Sequence, residues 1–117
     1  MTILVVDDEE AIRTITKTIL VRRGLTVVIA ASGEEALQLC HQEHFDLILC
    51  DIRMPGMSGV EVANTVSKLW PSMAILLMTG YAGAGTRIHH PYIEKPFTPK
   101  AIFNKVVEVA GALANDI

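Results

Sequence analysis

The chain has 117 residues, half of them hydrophobic and a fifth charged, with a formal net charge of −3. Those figures suit a single packed domain over residues 1–117 and argue against disorder, a second domain or a dedicated nucleic-acid surface. No apolar run is long enough to span a bilayer, and no basic region precedes a long apolar segment at the N-terminus.

In chain order, short aliphatic runs alternate with helical patterns. The first run, "TILVV" (2–6), leads straight into four carboxylates, Asp7, Asp8, Glu9 and Glu10. Ile12, Ile15 and Ile19 then recur at helical spacing, and Gly24 reads as the stop. "TVVIA" (26–30) is a second strand. "SGEEALQLCHQ" follows, with Ser32 three residues before Glu35 in the order of a capping box. "DLILC" (46–50) precedes Asp51. "SGVEVANTVSKLW" repeats the cap with Ser58 and Glu61 and ends at Pro71. "AILLM" (74–78) runs into Thr79. "YIE" (92–94) precedes Lys95, and "TPKAIFNKVVEVAGAL" opens a last helix with Thr98 as cap and Pro99 in the first turn. Runs that are aliphatic on both faces resemble strands buried on both sides of a parallel sheet. The alternation predicts an α/β protein with a doubly wound, five-stranded parallel sheet and helices on both faces.

Ligands of such sheets sit beyond the carboxyl ends of the strands. There the pattern gathers Asp7, Asp8 and Asp51 with Thr79 and Lys95. Three carboxylates at close range need a compensating cation. Hard oxygen donors with room for water suit Mg²⁺. Lys95 adds positive charge, Thr79 a hydroxyl donor, and Asp51, alone at its strand end, is the best nucleophile for an aspartyl phosphate. The Asp pair is then expected to hold the metal, while Glu9 and Glu10 serve the helix start.

"LVVDDEEA", "DLILCDIRMPGMSG", "LLMTGYA" and "YIEKPFT" together resemble the signature segments of the response-regulator receiver domain of two-component signalling. The resemblance runs through nearly the whole chain, in order. It implies a flavodoxin-like sheet of order 2-1-3-4-5, as in the chemotaxis regulators. It also implies Asp51 as phosphoacceptor, Asp8 as a direct Mg²⁺ ligand, Asp7 as an acid acting through water, and Arg53 as a donor of its backbone carbonyl to the metal. Thr79 would follow the phosphoryl group, Lys95 would pair with it, and Tyr92 would be the switch aromatic. The Lys95–Pro96 bond would be cis. The partner implied is a histidine kinase or a histidine phosphotransfer domain, with the output unknown. The chain would be a cytoplasmic phosphoacceptor that assists its own phosphorylation and dephosphorylation, and not an enzyme with a separate substrate. It would be a monomer or weak dimer with no direct nucleic-acid or membrane contact. The wording of "TGYA" and "KPFT" is similar to receivers attached to hybrid histidine kinases.

The chain departs from that family between Thr79 and Lys95, where only residues 80–94 intervene. Without the strand, "GYAGAGTRIHHP" is the whole crossover, close to the minimum for a parallel connection and poor in helix formers. The helix between the fourth and fifth strands is expected to be shortened or absent, which puts the usual output face in question. Arg53 and Tyr81, two residues beyond Asp51 and Thr79, are both large, which the resemblance ties to slow loss of phosphate.

Plainer readings stand beside these. Tyr92 alone suits edge-strand packing, and Thr79 suits a strand end. His89 and His90 lack a third ligand and read as exposed groups titrating near neutral pH. Cys40 and Cys50 have no metal-type spacing and read as reduced thiols, with Cys50 a small core residue. Met54 and Met57 read as packing beside the site, and Arg22 and Arg23 as a helix C-terminus. A metal-dependent phosphatase of the haloacid-dehalogenase type would place its nucleophile in a D-x-D arrangement on the first strand, where this chain has "DDEE". A binding module that keeps the fold but works without phosphorylation is the other alternative, left open by the short crossover. A nucleotide-binding domain would need a Gly-rich loop after the first strand, and none is present.

Overall fold

The computed structural model describes residues 1–80 and 88–115. Among the described residues, five strands and four helices follow one another: β1 (Thr2–Val6), α1 (Glu10–Arg22), β2 (Thr26–Ala30), α2 (Gly33–Gln42), β3 (Leu47–Asp51), α3 (Gly59–Leu69), β4 (Ala74–Thr79), β5 (Tyr92–Glu94) and α4 (Pro99–Asn115). The strands are all parallel, in the order β2-β1-β3-β4-β5. The expectation that the helix between the fourth and fifth strands is shortened or absent falls mostly on residues 81–87, outside the described residues; residues 88–91 form no helix. No helix of the described residues is long and apolar enough to cross a membrane.

Side-chain alternation divides the core in two. Leu4, Val6, Ile48, Cys50, Ile75 and Leu77 face α2 and α3, where Ala36, Cys40, Val62, Ala63 and Val66 meet them. Ile3, Val5, Leu47, Leu49, Leu76 and Met78 face the other way, toward Leu20 of α1 and Ile102, Val106 and Val109 of α4. The three central strands are buried on both faces, whereas β2 and β5, at the edges, are buried only in part.

The helix ends follow their local chemistry. Ser58 and Glu61 form a complete capping box, whereas Ser32 receives the Glu35 N–H without the reciprocal bond. Thr98 Oγ1 accepts from Ala101 N at 3.1 Å, and α4 opens at Pro99. Gly24, at φ +87°, ends α1 in the left-handed conformation that glycine adopts without steric cost. The Lys95–Pro96 peptide is cis.

The face of α1 is rotated from the one its isoleucines suggest. Ile15 is 55% exposed and Ile12 and Ile19 are half-buried, while Thr16 and Leu20 are fully buried. Thr16 Oγ1 has no hydrogen-bond partner among the described residues. A buried hydroxyl left unpaired costs about 1–3 kcal/mol, and valine has nearly the same shape and helix propensity. Thr16→Val should therefore stabilise the domain by about 1 kcal/mol, read as a higher urea midpoint with an unchanged slope. A lower midpoint would show that the hydroxyl is paired in solution.

Candidate functional site

The site forms where β1, β3 and β5 run out at one edge of the sheet. Val6 lies opposite Cys50 in the register of β1 and β3, so Asp7 and Asp51 meet one rung further on. Both continue the alternation of the α1/α4 face. Thr79 lies opposite Glu94, which puts Lys95 one rung beyond, on that same face. The carboxylates of Asp7, Asp8 and Asp51 each have an oxygen within 4.8 Å of the other two. Lys95 Nζ lies 3.0 Å from Asp51 Oδ1 and 3.1 Å from Asp7 Oδ2, so one ammonium bridges two strand ends.

Every polar atom of Asp7 is engaged. Its N–H donates to Ala30 O at 3.2 Å, Oδ1 accepts from Glu9 N at 2.9 Å, Oδ2 accepts from Lys95, and its carbonyl accepts from Arg13 Nη1 at 2.8 Å. Asp7 and Asp51 are buried, whereas Asp8 is exposed. Burial pushes the Asp51 carboxyl above the ordinary carboxylate range, against the pull of Lys95 and with added repulsion from Asp7 and Asp8. Burial alone would lower Lys95, but the two carboxylates it touches raise its pKa overall. Three carboxylates against one ammonium leave two negative charges uncompensated, the charge of a divalent cation. All-oxygen donors with one open, exposed side fit Mg²⁺.

Thr79 ends β4, buried, and its carbonyl accepts the Lys95 N–H at 2.8 Å. Tyr92 sits two rungs below, opposite Leu77 and on the face Thr79 shares, 40% exposed. Arg53 is exposed on the loop after β3, and its expected partner position Tyr81 lies outside the described residues. Met54 and Met57 pack into the core beside that loop. Cys50 is buried and its thiol raised by burial and by its acidic neighbours. His89 is exposed as expected, but His90 is half-buried, 3.2 Å from Asn64 Oδ1, and burial beside His89 lowers its pKa.

Two contributors are not apparent from sequence. Arg13 reaches back six residues to the Asp7 carbonyl, a contact that no short motif marks. Gly59, inside the "SGVE" cap, opens α3 directly against the end of β3. Its N–H donates to Ile52 O at 2.9 Å, and an added Cβ would collide with the Asp51 carbonyl.

The comparisons agree with this geometry. Residues 3–107 match the response regulator receiver domain family. The chain is 39% identical over 106 residues to the probable transcriptional regulator ycf27 of Guillardia theta, covering 86% of this chain and 41% of the relative. It is 38% identical over 86 residues to the transcriptional regulatory protein ZraR of Escherichia coli, covering 74% of this chain and 20% of that protein. The chain thus spans about two fifths or less of these relatives' length. Among solved structures, a CheY-like receiver domain protein from Methanospirillum hungatei superposes with a TM-score of 0.88 at 35% identity, covering 99% of this chain and 98% of that one. The response regulator TrrA from Thermotoga maritima, solved in complex with Mg(2+)-BeF, gives 0.85 at 36% identity, covering 92% of this chain and 97% of the other. The chain belongs to the response-regulator receiver family, the phospho-accepting signalling domains of two-component systems, which bind Mg²⁺ at an acidic pocket of this kind.

Two outcomes follow from the geometry. Gly59→Ala must displace α3 or the Asp51 backbone, and should cost about 2–3 kcal/mol in a denaturation experiment; a neutral result would show that the approach relaxes freely. The raised Asp51 pKa means that, between the ordinary carboxylate value and the folded one, the metal-free folded state holds a proton more often than the unfolded chain does. Stability therefore falls as pH rises from the ordinary carboxylate value through the folded one. In EDTA, Asp51→Asn should melt above wild type at pH 7, with the gap closing in acid. A lower melting point at pH 7 would show that the Lys95 pair outweighs burial and repulsion.

Proposed function

We propose that residues 1–117 form one receiver domain in which Asp51 accepts a phosphoryl group from a histidine kinase or histidine phosphotransfer domain. The observation that carries the reading is the single Lys95 ammonium touching both Asp51 and Asp7 inside a trio of carboxylates. An Asp51 carboxylate oxygen attacks the phosphorus of a phosphohistidine, the P–O bond forms, and the P–N bond breaks. The imidazole nitrogen leaves with the electron pair and takes up a proton. Asp8 and Asp51, with Asp7 through water and the Arg53 backbone carbonyl, would hold Mg²⁺, which when bound would supply charge neutralisation at the phosphoryl oxygens. Lys95 pairs with the transferred group, and the Thr79 hydroxyl donates to it.

Tyr92 shares a sheet face with Thr79 and is exposed in this structure. Its inward turn, as Thr79 moves toward the phosphoryl group, is the switch. Phosphorylation and dephosphorylation are assisted by the domain itself, with no separate substrate turned over, and the domain works in the cytoplasm as a monomer or weak dimer. Its output partner is a protein surface, with no direct nucleic-acid or membrane contact in this domain.

The test is incubation with Mg²⁺ and acetyl phosphate, read by intact mass. Wild type should gain one phosphoryl group only when Mg²⁺ is present, and Asp51→Asn none. Labelling that persists in Asp51→Asn would move the acceptor elsewhere. Turnover of a small phosphate ester would point to a phosphatase, and Mg²⁺ binding without labelling would favour a module that works unphosphorylated.

A further inference from the structure

Arg13 lies outside the set of groups that phosphoryl transfer uses, yet it holds the backbone of the metal site. It belongs to the first full turn of α1, where its N–H makes the helical bond to Glu9 O at 3.1 Å. Its side chain turns back, and Nη1 donates to the Asp7 carbonyl at 2.8 Å. That carbonyl belongs to the peptide joining Asp7 to Asp8, so the guanidinium fixes the plane from which the Asp8 side chain departs.

The two acids are held very differently. Asp7 is buried, with four hydrogen bonds on its own atoms. Asp8 is exposed, and its side chain makes no hydrogen bond to the described residues. A carboxylate that is to ligate a metal must be aimed before the metal arrives, and groups that orient a ligand commonly change affinity ten- to a hundred-fold when removed. For Asp8 the aim comes from its backbone, and Arg13 is the side chain bonded to that backbone.

We infer that Arg13 is a positioning residue for the Mg²⁺ site, setting the orientation of Asp8 through the Asp7–Asp8 peptide; this rests on the Mg²⁺ reading above. A plain charge effect has the opposite sign. A guanidinium beside a cation site repels the cation, so deleting it should tighten binding if Coulomb interaction dominates. Loss of positioning should weaken it. The direction of the change therefore separates the two.

The experiment titrates Mg²⁺ into the whole chain by calorimetry, for wild type, Arg13→Met, Arg13→Lys and Asp8→Ala, with melting in EDTA recorded for each. Arg13→Met should weaken Mg²⁺ binding on the order of tenfold. Arg13→Lys, which keeps the charge and a single donor, should recover part of the loss, and Asp8→Ala should abolish binding. Rescue by lysine distinguishes orientation from a general loss of fold, which the EDTA melts would reveal in all variants alike. Unchanged or tighter binding in Arg13→Met, beside normal binding in wild type, overturns the role of Arg13 alone. Absence of saturable Mg²⁺ binding in wild type overturns the site reading and this inference with it.

Discussion

The contact on which the rest of the site depends is the Lys95 ammonium, 3.0 Å from one buried carboxylate and 3.1 Å from another. Burying a carboxylate without a partner costs several kcal/mol, and here two are buried side by side with a third at the rim. One lysine cannot neutralise three acids. The arrangement is stable enough to form, through Lys95 and the N–H of Glu9, but it retains a net demand for positive charge. That residual demand is one that a divalent cation would meet, and burial with the neighbouring acids keeps Asp51 harder to ionise than an ordinary aspartate. Stability and chemistry pull in opposite directions at this one place.

The sheet register brings these groups together with no loop acrobatics. Asp7, Asp51 and Lys95 each stand one step along strands whose side chains alternate between the two faces. All three inherit the face of Val5, Leu49 and Ile93, so they converge without long reach. Thr79 and Tyr92 inherit the other face, that of Leu77. The division of the core into two layers thus also sorts these groups, with acids and lysine on one side and hydroxyl and aromatic on the other. Gly59 lets α3 rest against the Asp51 backbone, and Gly33 lets α2 come close enough that an added Cβ would stand 2.7 Å from Val62. Small residues thus bring α3 against β3 and α2 against α3.

Much of this was legible in the residues because it rests on local patterns. β1, β2 and β5 fall where their aliphatic runs end, and β3 and β4 extend one residue further, into Asp51 and Thr79. The DD, D, T and K positions were readable because strand ends in a parallel sheet converge. What sequence did not reveal depends on tertiary geometry. The rotation of α1 turns on which face meets the sheet, and a buried Thr16 beats the apolar Ile15 for the inward position. The half-burial of His90 follows from its contact with Asn64 across the fold. Arg13 and Gly59 act on backbone atoms, which no side-chain motif records.

The way the site is held differs from one side to the other, and this bears on how a change could leave it. β1 and β3 are flanked on both sides and paired over four and five rungs. β5 is paired over three, on one side only. Pairing stops below Leu77 because the next carbonyl facing β5 is that of Ile75, and Pro91 has no N–H to offer it. Lys95 extends this short strand: its backbone bonds Thr79 while its side chain bonds Asp51 and Asp7. A change of charge at Asp51 therefore bears on a residue whose main chain is tied to Thr79 and whose strand is the most weakly paired in the sheet. Local opening in proteins favours such lightly held elements. The rigid half of the edge fixes the acids, and the loosely paired half carries Thr79's neighbour Lys95 and Tyr92, so a disturbance at the acids has its least costly outlet toward β5.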